Sequence, residues 1–593
     1  MTSATIRQSQ VITTYGPGAL LDLPEHAAIV GGLEIWPHPN KLEQIDEARL
    51  SEVIHRVTGV AAPRLFAPPP APSVPWEQRQ DIGAWRFPEW FVVQFVEWEG
   101  RAQKRRLVRR TALENGKFEG KAVVPTRFVR ACTRGHVDDL DWYGFVHRGN
   151  DPCRRELWLV EQGTSGDLSD LSVRCACGKQ RSLYEAKQLE SKALGTCRGA
   201  RPWLGKDAEE DCDLPSRLLI RTATNAYFPQ VVSVLSLPNR GSDVDRVVTE
   251  LWDVLQGVSS KANVGVFKQL PRIAQGLDGY DDEEVFNAVM RHKDGGTGDR
   301  NLKAVELDAL LKAKEGFGDD VPVDPNFHAR RLPDHVWRTP GLSLSENIAC
   351  VIQLHRLREV MALIGFTRLE AEMRDIHGEY DTDVKRADIA IEPSWFPAVE
   401  NRGEGLFIQL SGEAVDKWLE KPPVQRRIDG LRRGHAAWQK ERNSGRQDFP
   451  GGAYILLHTL AHLLLQSLAM RCGYPASSIR ERIYAEDERY GILLYTATPD
   501  AEGTLGGLVQ QARHIEGHLA DALRAAMLCS NDPVCAQHEP DSSMERRWLH
   551  GAACHGCALI AETSCEMRND HLDRALVVPT LAVADASFFP APV

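Results

Sequence analysis

The sequence has no run of about 18 uncharged apolar residues, the length a membrane-spanning helix needs. Its most apolar stretch, Tyr454 to Met470, is interrupted by His458, His462 and Gln466 and reads as a buried helix. The opening residues MTSATIRQSQ contain no apolar block of the secretory kind. A cytoplasmic protein without membrane contact is therefore expected. There is no G-x-x-x-x-G-K-[ST] phosphate loop, so ATP turnover by this chain alone is not expected. There is no G-x-S-x-G nucleophile elbow either. Positive charge is in deficit: the net charge of -11 excludes a basic nucleic-acid coat and leaves only local patches for such contacts.

Cysteine is sparse, 13 in 593 residues, but eleven of the 13 fall in two groups. In a reducing compartment such clustering favours metal over disulfides. Cys350 and Cys472 stand alone in apolar segments, where a thiol behaves as a small hydrophobe. In the first group the tight pair Cys175-Ala176-Cys177, eased by Gly178, is followed by Cys197 and Cys212, and these four read as one zinc site. Upstream, Cys132, His136, His147 and Cys153 could form a second four-ligand set; the alternative is that His136 and His147 are ordinary polar residues and only one metal binds here. In the second group Cys554-His555-Gly556-Cys557 and Cys565 supply three thiolates, with Cys529 or Cys535 as the fourth. No thioredoxin-like strand precedes this pair, so structural zinc is expected rather than redox chemistry.

Other candidates carry weaker signals. His458 and His462 share a helical face at i, i+4, as in H-E-x-x-H, but Thr459 replaces the glutamate. They read as core histidines; a metal-dependent hydrolase using them with Glu481 is the alternative. Glu400 to Gly405 reads as a polar, Gly-rich turn. Two basic elements could meet phosphates: Lys104, Arg105 and Arg106, and a helix with Arg426, Arg427, Arg432 and Arg433 in which Trp438 could stack on a base.

A length of 593 residues calls for roughly three to five domains. The fold class expected is α+β and multidomain, mixing short sheets and helices with zinc-stapled modules. Residues 1–120 read as mostly β with a proline-rich connector at 62–76, 121–215 as a zinc module, and 216–450 as a mixed α/β region with a charged helical insertion. Residues 451–593 read as a second zinc-bearing domain. Gly16-Pro17-Gly18 predicts a turn. Ser343 and Glu346 form a capping-box pattern that predicts a helix to Ile364, stopped at Gly365. Residues 294–299 and 496–507 read as loops.

Several of these segments resemble known families. Leu456 to His462, Ser478 to Tyr484, Leu494 to Ala497, Gly503 to Leu508, Cys554-x-x-Cys557 with Cys565, and Asn569-x-x-Leu572-Asp573-Arg574 resemble the helicase-associated zinc-binding domain MZB of Mrf-type helicases. Gln10 to Ala19, Cys132-x-x-Gly135-His136, Gly365 to Leu369 and Pro397 to Gly405 resemble the DrmB family, the motor-less component of DISARM anti-phage systems. The resemblance implies a non-catalytic zinc protein, a DrmA-like helicase as partner, and DNA bound through the complex. A scaffold that touches no nucleic acid is a further alternative.

Overall fold

The computed structural model describes residues 6–23, 26–70, 81–149, 151–163, 167–238, 244, 247–248, 251–293, 301–316, 324–339, 343–372, 374–378, 380, 386–442, 447–496 and 507–591. The expected loops at 294–299 and 497–506, and the end of the connector at 71–76, lie outside the described residues. The chain divides into two units. One takes Met1–Ser233 with 360–373 and 380–400; the other takes 234–359, 374–379 and 401–593. The mixture of helices and several sheets makes the protein α+β and multidomain.

In the first unit the main sheet is antiparallel. Its path runs Gln180–Ser182, Leu171–Cys175, Leu157–Glu161, Ala102–Arg109, Trp90–Val93, Lys121–Pro125, Lys117–Phe118. Side chains alternate along a strand, so one face can be apolar throughout. Leu157 lies opposite Leu107, and Leu159 opposite Val173. These four pack with Trp90, Val92 and the helix Trp142–His147 into one core. A smaller sheet joins Val137–Asp139, Phe128–Ala131 and Arg217–Ile220. The expected turn at Gly16-Pro17-Gly18 is present: Gly18 has φ 84°, and the Ala19 N–H donates to the Gly16 carbonyl at 2.9 Å.

Arg368 is the polar hub of this unit. Fully buried, it donates to the Gly135 carbonyl at 2.8 Å and to the carbonyls of Ala226 and Gly18, and lies 4.9 Å from the Phe366 ring centre. Burial pulls its guanidinium down to about 9, still protonated at neutral pH. Arg368→Met would leave three buried acceptors without a donor, so it is expected to cost about 3 kcal/mol or more. Urea unfolding followed by tryptophan fluorescence checks this; a loss below about 1 kcal/mol would mean the hub carries little.

The second unit is built on the helix Gly452–Cys472, apolar on all sides and ended by Gly473 at φ 71°. It is the one described helix long and apolar enough to cross a membrane, and 83% of that stretch is buried by protein. A helix that is hydrophobic all round belongs in a core. Against it pack the hairpin Ile479–Glu486 and Arg489–Thr496, and the helix Ile515–Ala526. The charged region carries the helices Lys261–Phe267, Pro271–Gly276, Asp282–Lys293 and Leu302–Leu311.

Two expectations are corrected here. The predicted helix from Ser343 is a short 3-10 turn, Ser343–Asn347, followed by a 20-residue strand, Ile348–Thr367. That strand is buried on both faces, and such a strand reads as one continuous apolar run, as a buried helix does. The second correction concerns Glu400 to Gly405, which is no turn but part of the strand Trp395–Leu410. Its glycines permit close strand approach: a Cβ on Gly403 would lie 1.6 Å from the Thr496 carbonyl oxygen. Glu404 accepts the Leu508 N–H at 2.8 Å, and Asn401 donates to Glu359 at 3.2 Å. These buried polar groups hold neighbouring segments together.

Candidate metal centres

Two hairpins of the first unit have the same local construction. In one, the Cys132 N–H donates to the His136 carbonyl at 3.2 Å and the Gly135 N–H to the Cys132 carbonyl at 3.1 Å. In the other, Cys175 donates to Lys179 at 2.8 Å and Gly178 to Cys175 at 2.9 Å. The third residue after each cysteine is a glycine with positive φ, 93° at Gly135 and 94° at Gly178, which only glycine adopts freely. The turns thus present two ligands each: Cys132 with His136, and Cys175 with Cys177.

Each hairpin meets different partners from those chain order suggested. Cys132, His136, Cys197 and Cys212 converge; so do His147, Cys153, Cys175 and Cys177. In the first set His136 Nδ1 lies 3.4 Å from Cys132 Sγ and 3.6 Å from Cys197 Sγ, and Cys132 lies 3.9 Å from Cys212. In the second, His147 Nε2 is 3.3 Å from Cys177 Sγ and Cys153 is 3.6 Å from Cys175. The same eight residues are used, but the grouping Cys175, Cys177, Cys197, Cys212 is corrected. The small sheet carries Cys132 and His136 toward Cys197 and Cys212, while the main sheet keeps Cys175 and Cys177.

In the second unit Cys529, Cys535, Cys554 and Cys557 converge. Cys529 lies 3.3 Å from Cys554, Cys535 3.8 Å from Cys557, and Cys554 3.7 Å from Cys557. Both Cys529 and Cys535 take part, and the expected trio with Cys565 is corrected. Asp532 accepts the Cys529 N–H at 2.9 Å and is itself held by Arg574 at 2.5 Å. Asn569 exchanges two hydrogen bonds with the Ile560 backbone, each 2.9 Å.

Donor type and spacing fit zinc. Thiolates at about 2.3 Å from a tetrahedral ion are about 3.8 Å apart, and a thiolate–imidazole edge is about 3.5 Å. The observed edges cluster around these values. The histidines are also oriented: His136 Nε2 meets Glu210 at 2.7 Å, and His147 Nδ1 meets the Tyr143 carbonyl at 2.8 Å, so the other nitrogen of each faces the thiols. Neighbouring donors favour the thiolate in part of each set. A hydrogen bond from Cys132 holds Cys197 down to about 4, the Lys179 N–H holds Cys177 to about 6, and Cys557 holds Cys535 to about 5.

Residues 460–558 match the MrfA Zn-binding domain family, and residues 7–228 match a domain of unknown function, DUF8724. The chain is 31% identical over 480 residues to the DISARM protein DrmB of Bacillus paralicheniformis, covering 78% of this chain and 82% of that protein. The chain belongs to the DrmB family. Zinc is accordingly the cofactor its cysteine clusters are built to hold.

This DrmB-family chain has one more convergent set, in which His458, His462, Glu481 and Cys565 are all buried. His458 Nε2 lies 3.1 Å from Cys565 Sγ and 3.0 Å from Glu481 Oε1, and His462 Nε2 lies 3.2 Å from the same oxygen. Burial pushes the Glu481 carboxyl up, but the charges and hydrogen bonds of His462 and His458 outweigh it and hold the group well below the usual carboxylate range. The i, i+4 spacing of the histidines was visible in the sequence. Their meeting with Cys565, more than a hundred residues away, was not.

The basic candidates fare differently. Lys104, Arg105 and Arg106 sit on the strand Ala102–Arg109 and pair with Glu97 (3.3 Å), Glu161 (3.0 Å) and Glu156 (2.9 Å). Lys104 and Arg106 also lie over the Trp158 ring. On the helix Pro422–Arg442, Arg427 is largely buried and pairs with Asp573 at 2.6 Å, and Trp438 is 9% exposed and packed on His435. Burial takes both out of the expected nucleic-acid contacts. Arg426, Arg432 and Arg433 remain exposed, beside Asp585, Asp429 and Asp541.

Proposed function

We propose that this chain is a non-catalytic accessory subunit of a cytoplasmic DISARM anti-phage system. It pairs with a DrmA-like DNA helicase and supports DNA binding by the pair. The observation that carries this reading is the match to the DISARM protein DrmB along most of both chains. Its sequence holds no phosphate loop, which suits a partner of a motor better than a motor. Three cysteine-rich sets with four ligands each leave no open coordination position, which suits bracing rather than turnover.

For DNA, Arg426, Arg432 and Arg433 are the strongest candidates. An exposed ion pair is worth at most about 1 kcal/mol, so phosphates can displace Asp585, Asp429 and Asp541. The test is co-purification with a co-expressed DrmA-like helicase, then DNA titration over a salt series. Reversing the three charges (Arg426→Glu, Arg432→Glu, Arg433→Glu) is expected to weaken binding at least tenfold and to flatten the salt slope by roughly two to three. Unchanged affinity and slope would remove this helix from the interface. Failure to co-purify with the helicase would remove the pairing itself.

A further inference from the structure

We propose that His458, His462, Glu481 and Cys565 form a fourth, closed seat for a divalent ion of the zinc class. The four donors come from three separate segments: the helix Gly452–Cys472, the strand Ile479–Glu486, and the irregular chain that carries Cys565. All four donor atoms lie within 4.8 Å of one another, and none of the four residues is exposed.

The orientation of the imidazoles is the first argument. His462 Nδ1 lies 2.8 Å from the Ala558 carbonyl, and His458 Nδ1 lies 3.3 Å from the His571 carbonyl. A carbonyl only accepts, so each Nδ1 carries its proton, and in the neutral imidazole, the form that binds a metal, each Nε2 lone pair points inward. Both then face Glu481 Oε1, which already accepts the Glu566 N–H at 3.2 Å. In that form the lone pairs, opposed at about 3 Å, repel unless a metal ion stands among them; a proton on Nε2 is the alternative that the experiment below separates. The second Glu481 oxygen, Oε2, is buried and has no hydrogen-bond partner. A buried carboxylate oxygen left without a donor is costly.

The thiol supplies the second argument. Cys565 Sγ accepts the N–H of Met567 at 3.4 Å and of Asn569 at 3.1 Å. The same bond to sulfur from the residue two places on occurs at Cys197 with Gly199 (3.3 Å), Cys529 with Asn531 (3.4 Å) and Cys554 with Gly556 (3.3 Å). Cys565 is therefore set up as the other metal-ligating thiolates are. One carboxylate and one thiolate carry two negative charges, which a divalent ion neutralises inside a core that tolerates no net charge. Two imidazole nitrogens, one oxygen and one sulfur make a four-coordinate zinc set with no position left for water. The ion would pin the core helix to the hairpin and to the chain after Cys565, and would do no chemistry.

The competing arrangement has no metal: protonated His462 pairs with Glu481, and the Cys565 thiol donates to His458. The experiment counts metal in full-length chain by elemental mass spectrometry, for wild type and for the near-isosteric variants Glu481→Gln and Cys565→Ser. The expected result is one equivalent fewer in each variant, with the cysteine-rich centres still loaded. Folded variants that keep the wild-type count would overturn the proposal. If neither variant folds, the wild-type chain loaded with cadmium-113 decides. A resonance well upfield of those from three- and four-thiolate sites supports the fourth seat, and its absence from a fully loaded chain overturns it.

Discussion

Cys557→Ser is expected to release one zinc per chain and to unfold the segment from Cys529 to Cys557. Among the described residues this segment has no strand or helix beyond turns and an isolated bridge from His550 to Leu572. Its local core consists of Cys535, Ala553, Cys557, Ala558 and Leu572, so the thiols themselves are a large part of what is buried. Alanine and cysteine bury little apolar area, and so small a core cannot offset the entropy of fixing about thirty residues. Metal coordination must supply the difference; structural zinc contributes about 10 kcal/mol or more in such modules. Hydrogen exchange should show protection lost across Cys529 to Cys557 and retained in the core helix. The same loss should follow a strong chelator. A variant that kept both its zinc and its protection would show that the four thiolates are not what holds this segment.

The second large effect tests how eight ligands are shared between two centres. By the observed grouping, Cys132→Ser combined with Cys197→Ser damages one centre and removes one zinc. Cys175→Ser combined with Cys197→Ser damages two and removes two. Sorting the ligands by chain order gives the reverse pattern: two zincs lost for the first pair and one for the second. Metal analysis of the two double variants separates these outcomes by a whole equivalent in opposite directions. Hydrogen exchange adds a check, since loss of the Cys175 centre should loosen the hairpin Leu171–Cys175 and Gln180–Ser182.

Which cysteines and histidines would cluster was largely legible in the sequence, because these residues at tight spacing have few other uses in a reducing compartment. The α+β class and the turn at Gly16 to Gly18 were legible from local chemistry as well. Partner choice was not, because it depends on which sheet carries each hairpin, and that is set by strand pairings such as Leu157 with Leu107. Val351, Ile352 and Leu354 illustrate a different limit. Periodicity distinguishes a helix from a strand only when one face is wet, and their strand has none. Trp438 shows the same limit from the other side: an aromatic among arginines looks available for stacking until tertiary packing covers it. Gly365 to Leu369 carried a family resemblance without a mechanism. The structure supplies one, since Arg368 fastens three backbone segments at once.

Written in chain order, the ligands of the first unit open and close like nested brackets: Cys132 and His136 outside, His147 to Cys177 inside, Cys197 and Cys212 outside again. Along the chain the inner set is therefore complete at Cys177, before either outer cysteine that follows it. Capture of an ion there shortens the effective loop that the outer set must later span, lowering its closure entropy. Nesting of this kind would give metallation a preferred order, inner set before outer.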